Sequence, residues 1–284
     1  MAARVSDERL RYARRRLPGA FVRSPRERLL RAASWSAFLA FTAFCLWWID
    51  ADPMRIWDGL GKLGWMFTFM FPPSDGGRLA DLLYAMLETL SMAFLGTLIA
   101  FLFAIPLGFL GAKNVIPGWV FHIGLRRLFD GLRGIDALIW ALVFVNAVGL
   151  GPFAGILAIA VSDTGTLSKL FAEAIENVDP RPIEGTRSAG AGRVQAMRFA
   201  VLPQVFPVMI SQALYFFESN TRSATILGVV GAGGIGLELS DRIRVMNWDE
   251  VCFIILLILV TVAAIDVVSR EIRMRVIDRR NERS

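Results

Sequence analysis

Long apolar runs separated by short polar stretches organise this chain. A helix needs about 20 apolar residues to cross the hydrocarbon core of a bilayer. Ala32–Ile49 is the first such run, directly after Arg31 and ending near Trp47 and Trp48, aromatics suited to a membrane interface. Thr89–Ala112 is the second, softened by Pro106 and stopped by Lys113. The uncharged run Ala137–Ser162 contains Gly149-Leu150-Gly151-Pro152, which predicts a tight turn between two helices over 133–149 and 152–173. Phe199–Phe217 and Val251–Ser269 complete six predicted spans of an all-α, polytopic membrane protein. Between the first two spans, Trp57 to Phe71 is apolar and aromatic and ends at Pro72-Pro73. Burying Lys62 would be costly, so this stretch is expected to lie along the interface as a helix.

Composition agrees with that reading: 55% of the 284 residues are hydrophobic and the mean hydropathy is +0.52. The net charge is +6, and its placement matters more than its size. Residues 1–31 hold ten arginines against Asp7, Glu8 and Glu27, and residues 270–284 hold six against Glu271, Asp278 and Glu282. The two tails therefore carry +10, leaving −4 for the body of the chain. Basic ends around an apolar middle orient a membrane protein rather than bind nucleic acid, and put both termini in the cytoplasm. The predicted inner loops agree, with Lys113, Arg126 and Arg127 in one and Arg181, Arg187, Arg193 and Arg198 in the other. The outer loop carries Asp50, Asp52, Asp58, Asp75 and Asp81 against Arg55, Lys62 and Arg78. The Arg-rich lead and the missing A-x-A site make the first span a retained anchor rather than a cleaved signal.

Little enzymatic chemistry is available to such a chain. Cys45 and Cys252 lie in apolar runs, and His122 is the one histidine, read as an ordinary residue near Arg126 and Arg127. No metal site, disulfide framework or catalytic triad is expected.

The informative polar segment is 179–203. Asp179 can cap a helix whose first turn accepts Pro180 and Pro182, with Glu184 early, where an acid suits the helix dipole. If that helix continues, Gly185, Ala189, Gly192 and Ala196 form one stripe of small residues that lets another surface approach closely. Arg187, Arg193 and Arg198 project around it. Glu184, Gly190 six residues on, and then Leu202-Pro203 resemble the EAA loop of ABC importer permeases. Gly185 and Thr186 replace that pattern's two alanines, and Ala200 its isoleucine. The resemblance implies a type I importer permease fold, with this loop as the cytoplasmic coupling helix that docks on an ATPase. Glu184, Gly185, Arg187, Ala189, Gly190, Gly192, Arg193, Leu202 and Pro203 are its candidate contacts.

Further segments, Glu88 to Ala93, Ala104 to Gly108, Val148 to Gly155 and Gly228 to Gly236, are similar to permeases of phosphonate-type importers. The likeness covers about 85–272. It implies a homodimer, two cytoplasmic ATPase subunits that bind ATP and Mg, and a periplasmic binding protein, all in a bacterial inner membrane. The chain then divides into a basic tail 1–31, a first span with its interfacial helix 32–84, a core 85–272 and a basic tail 273–284.

Gly231-Ala-Gly233-Gly234-Ile-Gly236 spells G-x-G-x-x-G after a strand-like Ala224–Val230, but no βαβ unit surrounds it. No Gly-Lys-Ser/Thr follows either, so nucleotide hydrolysis is left to another chain. Ser223–Leu237 is too short to span and is expected to fold back into the outer mouth of a pathway. Glu218, Ser219, Asn220, Thr221, Arg222 and Ser223 would then meet an incoming anion, Arg222 attracting a phosphorus oxyanion. The alternative is that Glu218 and Arg222, at i and i+4, form only an interfacial pair. Asn146 either lines the pathway or packs across helices, Asp163 pairs with Lys169 or caps a helix, and Asp136 near Arg133 is interfacial. An ATP-independent secondary transporter and a membrane enzyme compete with the importer, but coupling residues, inverted repeats and a clustered catalytic set are all missing.

Overall fold

The structure is a computed structural model that describes residues 25–116 and 118–281; the tail 1–24 and residues 282–284 lie outside them. The chain forms two compact bodies, parted between Met66 and Phe67. In the first, α1 (Pro25–Trp48) begins on a proline, whose fixed φ suits a first helical position. Its apolar stretch Leu29–Trp48 is long enough to cross a membrane. The carboxylate of Asp52 accepts a hydrogen bond from the Met54 N–H at 2.9 Å, starting α2 (Pro53–Phe69), none of whose residues is buried.

The second body is a helical bundle. Its members are α3 (Leu79–Gly111), α4 (Trp119–Gly134), α5 (Ala137–Val148), α6 (Pro152–Glu176), α7 (Pro180–Ser188), α8 (Arg193–Ala196), α9 (Leu202–Leu227), α10 (Ile235–Arg244) and α11 (Trp248–Asn281). A π-helical segment, Met197–Val201, leads into α9, and another, Gly228–Ala232, leaves it. Lipid offers helices no hydrophobic reward for pairing, so close packing must hold the bundle. Glycines provide it between α3 and α6: a Cβ at Gly96 would lie 2.7 Å from Ile159 Cβ, and one at Gly108 2.6 Å from Phe171 Cβ. Phe171, Leu167, Ala104 and Met209 fill the core at one end, and Met92, Ala158, Ala224 and Leu227 at the other.

Among the described residues, five helical stretches are long and apolar enough to cross a membrane: Leu29–Trp48, Leu79–Gly111, Pro152–Glu176, Arg193–Ala232 and Trp248–Arg275. The expected sixth span, 133–149, is corrected. Its helix α5 has 12 residues, about 18 Å at 1.5 Å per residue, against a hydrocarbon core of about 30 Å. Its neighbour α4 runs antiparallel along α6. Arg126 meets Glu176 at 2.9 Å and Lys169 meets Asp130 at 2.7 Å. Higher up, Gly165 faces Leu132 and the Arg133 backbone. From there α5 continues to the turn at Gly149 and Gly151, whose φ values of +94° and +132° favour glycine. The strand-like reading of Ala224–Val230 is also corrected: these residues finish α9 and enter its π-helical turn.

Candidate functional site

The loop between α6 and α9 is held at its root and free at its tip. Asp179 caps α7 by accepting from the Arg181 N–H at 3.0 Å, as its side chain predicts. The Gln204 side chain accepts from the Asp179 N–H at 3.1 Å and donates to the Asp179 carbonyl at 3.3 Å, tying the loop's start to α9. No residue of α7 is buried. Glu184, Gly185, Arg187, Ala189, Gly190, Gly192, Arg193 and Pro203 are exposed, and Leu202 is half-buried. The continuous helix is corrected here: α7 stops at Ser188, Gly190 takes φ +87°, and α8 restarts after Gly192. The left-handed residue turns the chain, so Gly185 and Ala189 do not share one straight stripe with Gly192 and Ala196, and Ala196 is buried. A groove of about 720 Å³ opens beside the bend, lined by Ile183, Arg187, Arg193, Val194 and Met197 among others.

At the opposite end of the bundle, the glycine motif is a turn held by side chains of α3. Glu88 accepts from the Gly234 N–H at 3.0 Å and Thr89 from the Ile235 N–H at 2.8 Å. The Gly151 N–H donates to the Gly231 carbonyl at 3.0 Å. Gly231, Gly233 and Gly234 take φ values of +97°, +81° and +72°. A cavity of about 450 Å³ lies there, bounded by Arg78, Glu88, Gly151, Gly233 and Glu238.

The polar cluster 218–223 is corrected in position. It lies inside α9, which continues past it to Leu227, rather than beyond the end of a span at Phe217. Asn220 is buried and donates to Thr97 Oγ1 at 2.9 Å and to Asp163, joining the middles of α3 and α6 to the later turns of α9. Thr221 bonds back to the Phe217 carbonyl, and Ser219 and Ser223 are half-buried on α9. Arg222 lies 3.6 Å from Glu218 and 3.4 Å from Asp266, while Arg273 reaches Glu218 at 3.0 Å. Two carboxylates thus lie within ion-pair distance of Arg222, in an ion-pair chain between α9 and α11.

Asp163 does not pair with Lys169, which belongs to Asp130. Asn146 is exposed on α5 and donates to the Leu142 carbonyl at 2.7 Å. Asp136 caps α5 just after α4 ends, accepting from the Leu138 N–H at 2.8 Å. His122 is buried near Arg126. Among the described residues no three His, Cys, Asp or Glu side chains gather as metal ligands would.

This fold is that of importer permeases. A solved MetNI methionine ABC transporter, in an inward-facing conformation, superposes with a TM-score of 0.62 at 21% identity, over 70% of this chain and 97% of that one. The family model described as binding-protein-dependent transport system inner membrane component matches residues 104–283. The chain belongs to this family. The putative phosphite transport system permease protein HtxC of Stutzerimonas stutzeri is 37% identical to this permease over 83% of its length and 84% of HtxC. The phosphate-import permease protein PhnE of Mycolicibacterium smegmatis is 38% identical over 81% of the permease, which spans 43% of that longer protein.

Sequence reasoning missed the permease's internal polar ties. Thr97, Asp163 and Asn220 sit far apart in the chain, and nothing in their local spacing pairs them. Polar side chains inside a bundle signal partners without naming them. Asp163→Ala, which removes one of the two acceptors of the Asn220 amide, is expected to lower stability by about 1–2 kcal/mol. Asp163→Asn should retain most of it. Thermal unfolding of the two variants in detergent checks this, and an unchanged midpoint for the alanine variant would count against the tie.

Proposed function

We propose that this permease is the membrane subunit of an ATP-driven importer for a small phosphorus oxyanion such as phosphite, phosphonate, hypophosphite or phosphate. In this reading it works as a homodimer with two cytoplasmic ATPase subunits and an extracytoplasmic binding protein. Both termini and the bent loop 179–203 face the cytoplasm. The observation that carries the reading is that loop: a capped helix without a buried residue, turned at Gly190 and anchored at its root by Gln204. A short exposed helix on a rigid base suits docking in a groove of a motor subunit. Movement of the motor then shifts α6 and α9 as rigid bodies, because the loop leaves and returns through them. ATP and Mg belong to the motor subunits. The phosphite- and phosphate-labelled relatives support the substrate class, since one tetrahedral anion differs little from the other in charge and size.

The test is uptake by proteoliposomes holding the permease with its ATPase and binding protein. Radiolabelled phosphite or phosphate should accumulate only with ATP inside the compartment facing the loop and binding protein outside. Equal accumulation by the permease alone, without ATP, would refute the reading.

A further inference from the structure

The helix pair α4 and α5 carries a cation that the bundle's internal packing does not use. A Cβ on Gly165 would lie 3.1 Å from the Arg133 backbone nitrogen, so the two residues are level. Gly165 stands about 20 Å from the Pro152 end of α6 and about 17 Å from its Glu176 end, at about 1.5 Å per residue. Arg133 thus leaves its helix level with the middle of α6, a span by its length and hydropathy. Its side chain is exposed in the single chain. Candidate partners are engaged elsewhere: Lys169 bonds Asp130, which feels Arg133 and Arg127 only through space, and Asp136 caps Leu138. Just beyond it, Ile135 and Asp136 interrupt the helix, and Gly134, Ile135 and Asp136 are exposed too.

Charged groups and broken backbone at this depth do not face lipid. They persist where protein covers them or where they line water. We infer that Arg133 faces the aqueous route through the assembled importer and is a mid-depth station for the transported phosphorus oxyanion. This rests on the function proposed above. A guanidinium presents paired N–H donors that match two oxygens of a tetrahedral anion. The Asp136 carboxylate three residues on keeps the local field from becoming strongly positive, which suits a station an anion must leave as readily as it enters.

The whole importer, with ATPase and binding protein, is the object to test. Arg133→Gln should reduce phosphite uptake at low substrate by about tenfold, a loss of one charge-assisted contact. Arg133→Lys should retain a substantial part, and ATP hydrolysis stimulated by the binding protein should remain in both. Arg133→Cys, in a background with Cys45 and Cys252 changed to alanine, should react with a membrane-impermeant anionic thiosulfonate. Normal uptake by Arg133→Gln overturns the station, even if the cysteine is labelled. An unreactive cysteine overturns it as well, and assigns Arg133 to a contact with the second copy or to lipid. Should the parent importer carry no phosphorus oxyanion, the function fails on its own terms, while thiol labelling still reports whether position 133 meets water.

Discussion

Gly236→Ala is expected to abolish accumulation of folded permease. A Cβ at position 236 would fall on the Thr225 carbonyl and 3.0 Å from Gly228 Cα, and both obstacles are backbone. Gly228 is equally confined, with the Gly236 Cα 2.7 Å from where its own Cβ would be. These two glycines let the end of α9 cross the start of α10 almost backbone to backbone. The turn between them is fixed by Glu88 and Thr89, so neither helix can retreat without surrendering those hydrogen bonds. Overpacking commonly costs about 1–3 kcal/mol, and backbone cannot rotate away as a side chain does. A loss of about 3 kcal/mol, roughly a hundredfold in the folding equilibrium, is therefore expected. Gly64→Ala, where a Cβ meets nothing within 4 Å, is the control and should behave as the parent. Size-exclusion profiles and thermal midpoints in detergent decide it. A monodisperse Gly236→Ala protein with the parent's midpoint would show that the crossing is looser than described.

Gly190→Arg is expected to leave the permease folded yet uncoupled. No atom lies within 4 Å of a Cβ there, so the loop has room for the side chain. Two other things change: φ +87° is strained for any residue with a Cβ, and a bulky cation occupies the bend. If the bend docks on the ATPase, co-purification of that subunit and ATP-driven uptake should both fall by about a hundredfold or more, the scale on which interface hot spots act. Gly190→Asn separates the causes, since asparagine tolerates left-handed backbone. It should keep much of both signals if bulk and charge are what the partner rejects. Undiminished co-purification with Gly190→Arg would remove the bend from the interface.

The family and the site were unequally legible. Glu184, Gly190, Leu202 and Pro203 could be read at fixed spacing because a docking loop is short and local. Its break could not be, since a helix with two glycines fits the same letters as a helix, turn and helix. The ion-pair chain of Glu218, Arg222, Asp266 and Arg273 was half visible, as an i, i+4 pair. Its other half lies on α11, more than forty residues away. Hydropathy places Asp136 at the edge of the apolar run that begins at Ala137, and cannot see that α4 packs along α6 beside it.

By itself, the sequence determined that this chain is an all-helical membrane protein, where five of its long apolar helices lie, and which polar loop carries the family's motif. Those properties follow from local hydrophobicity, helix capping and spacing along one chain. Tertiary structure alone decided which polar groups meet inside the bundle, how two short helices lie along α6, and which backbone segments touch at Gly228 and Gly236. These depend on how helices distant in sequence set their depth against one another. Apolar periodicity leaves that depth undetermined, because a helix can slide by a turn without exposing a single polar residue to lipid.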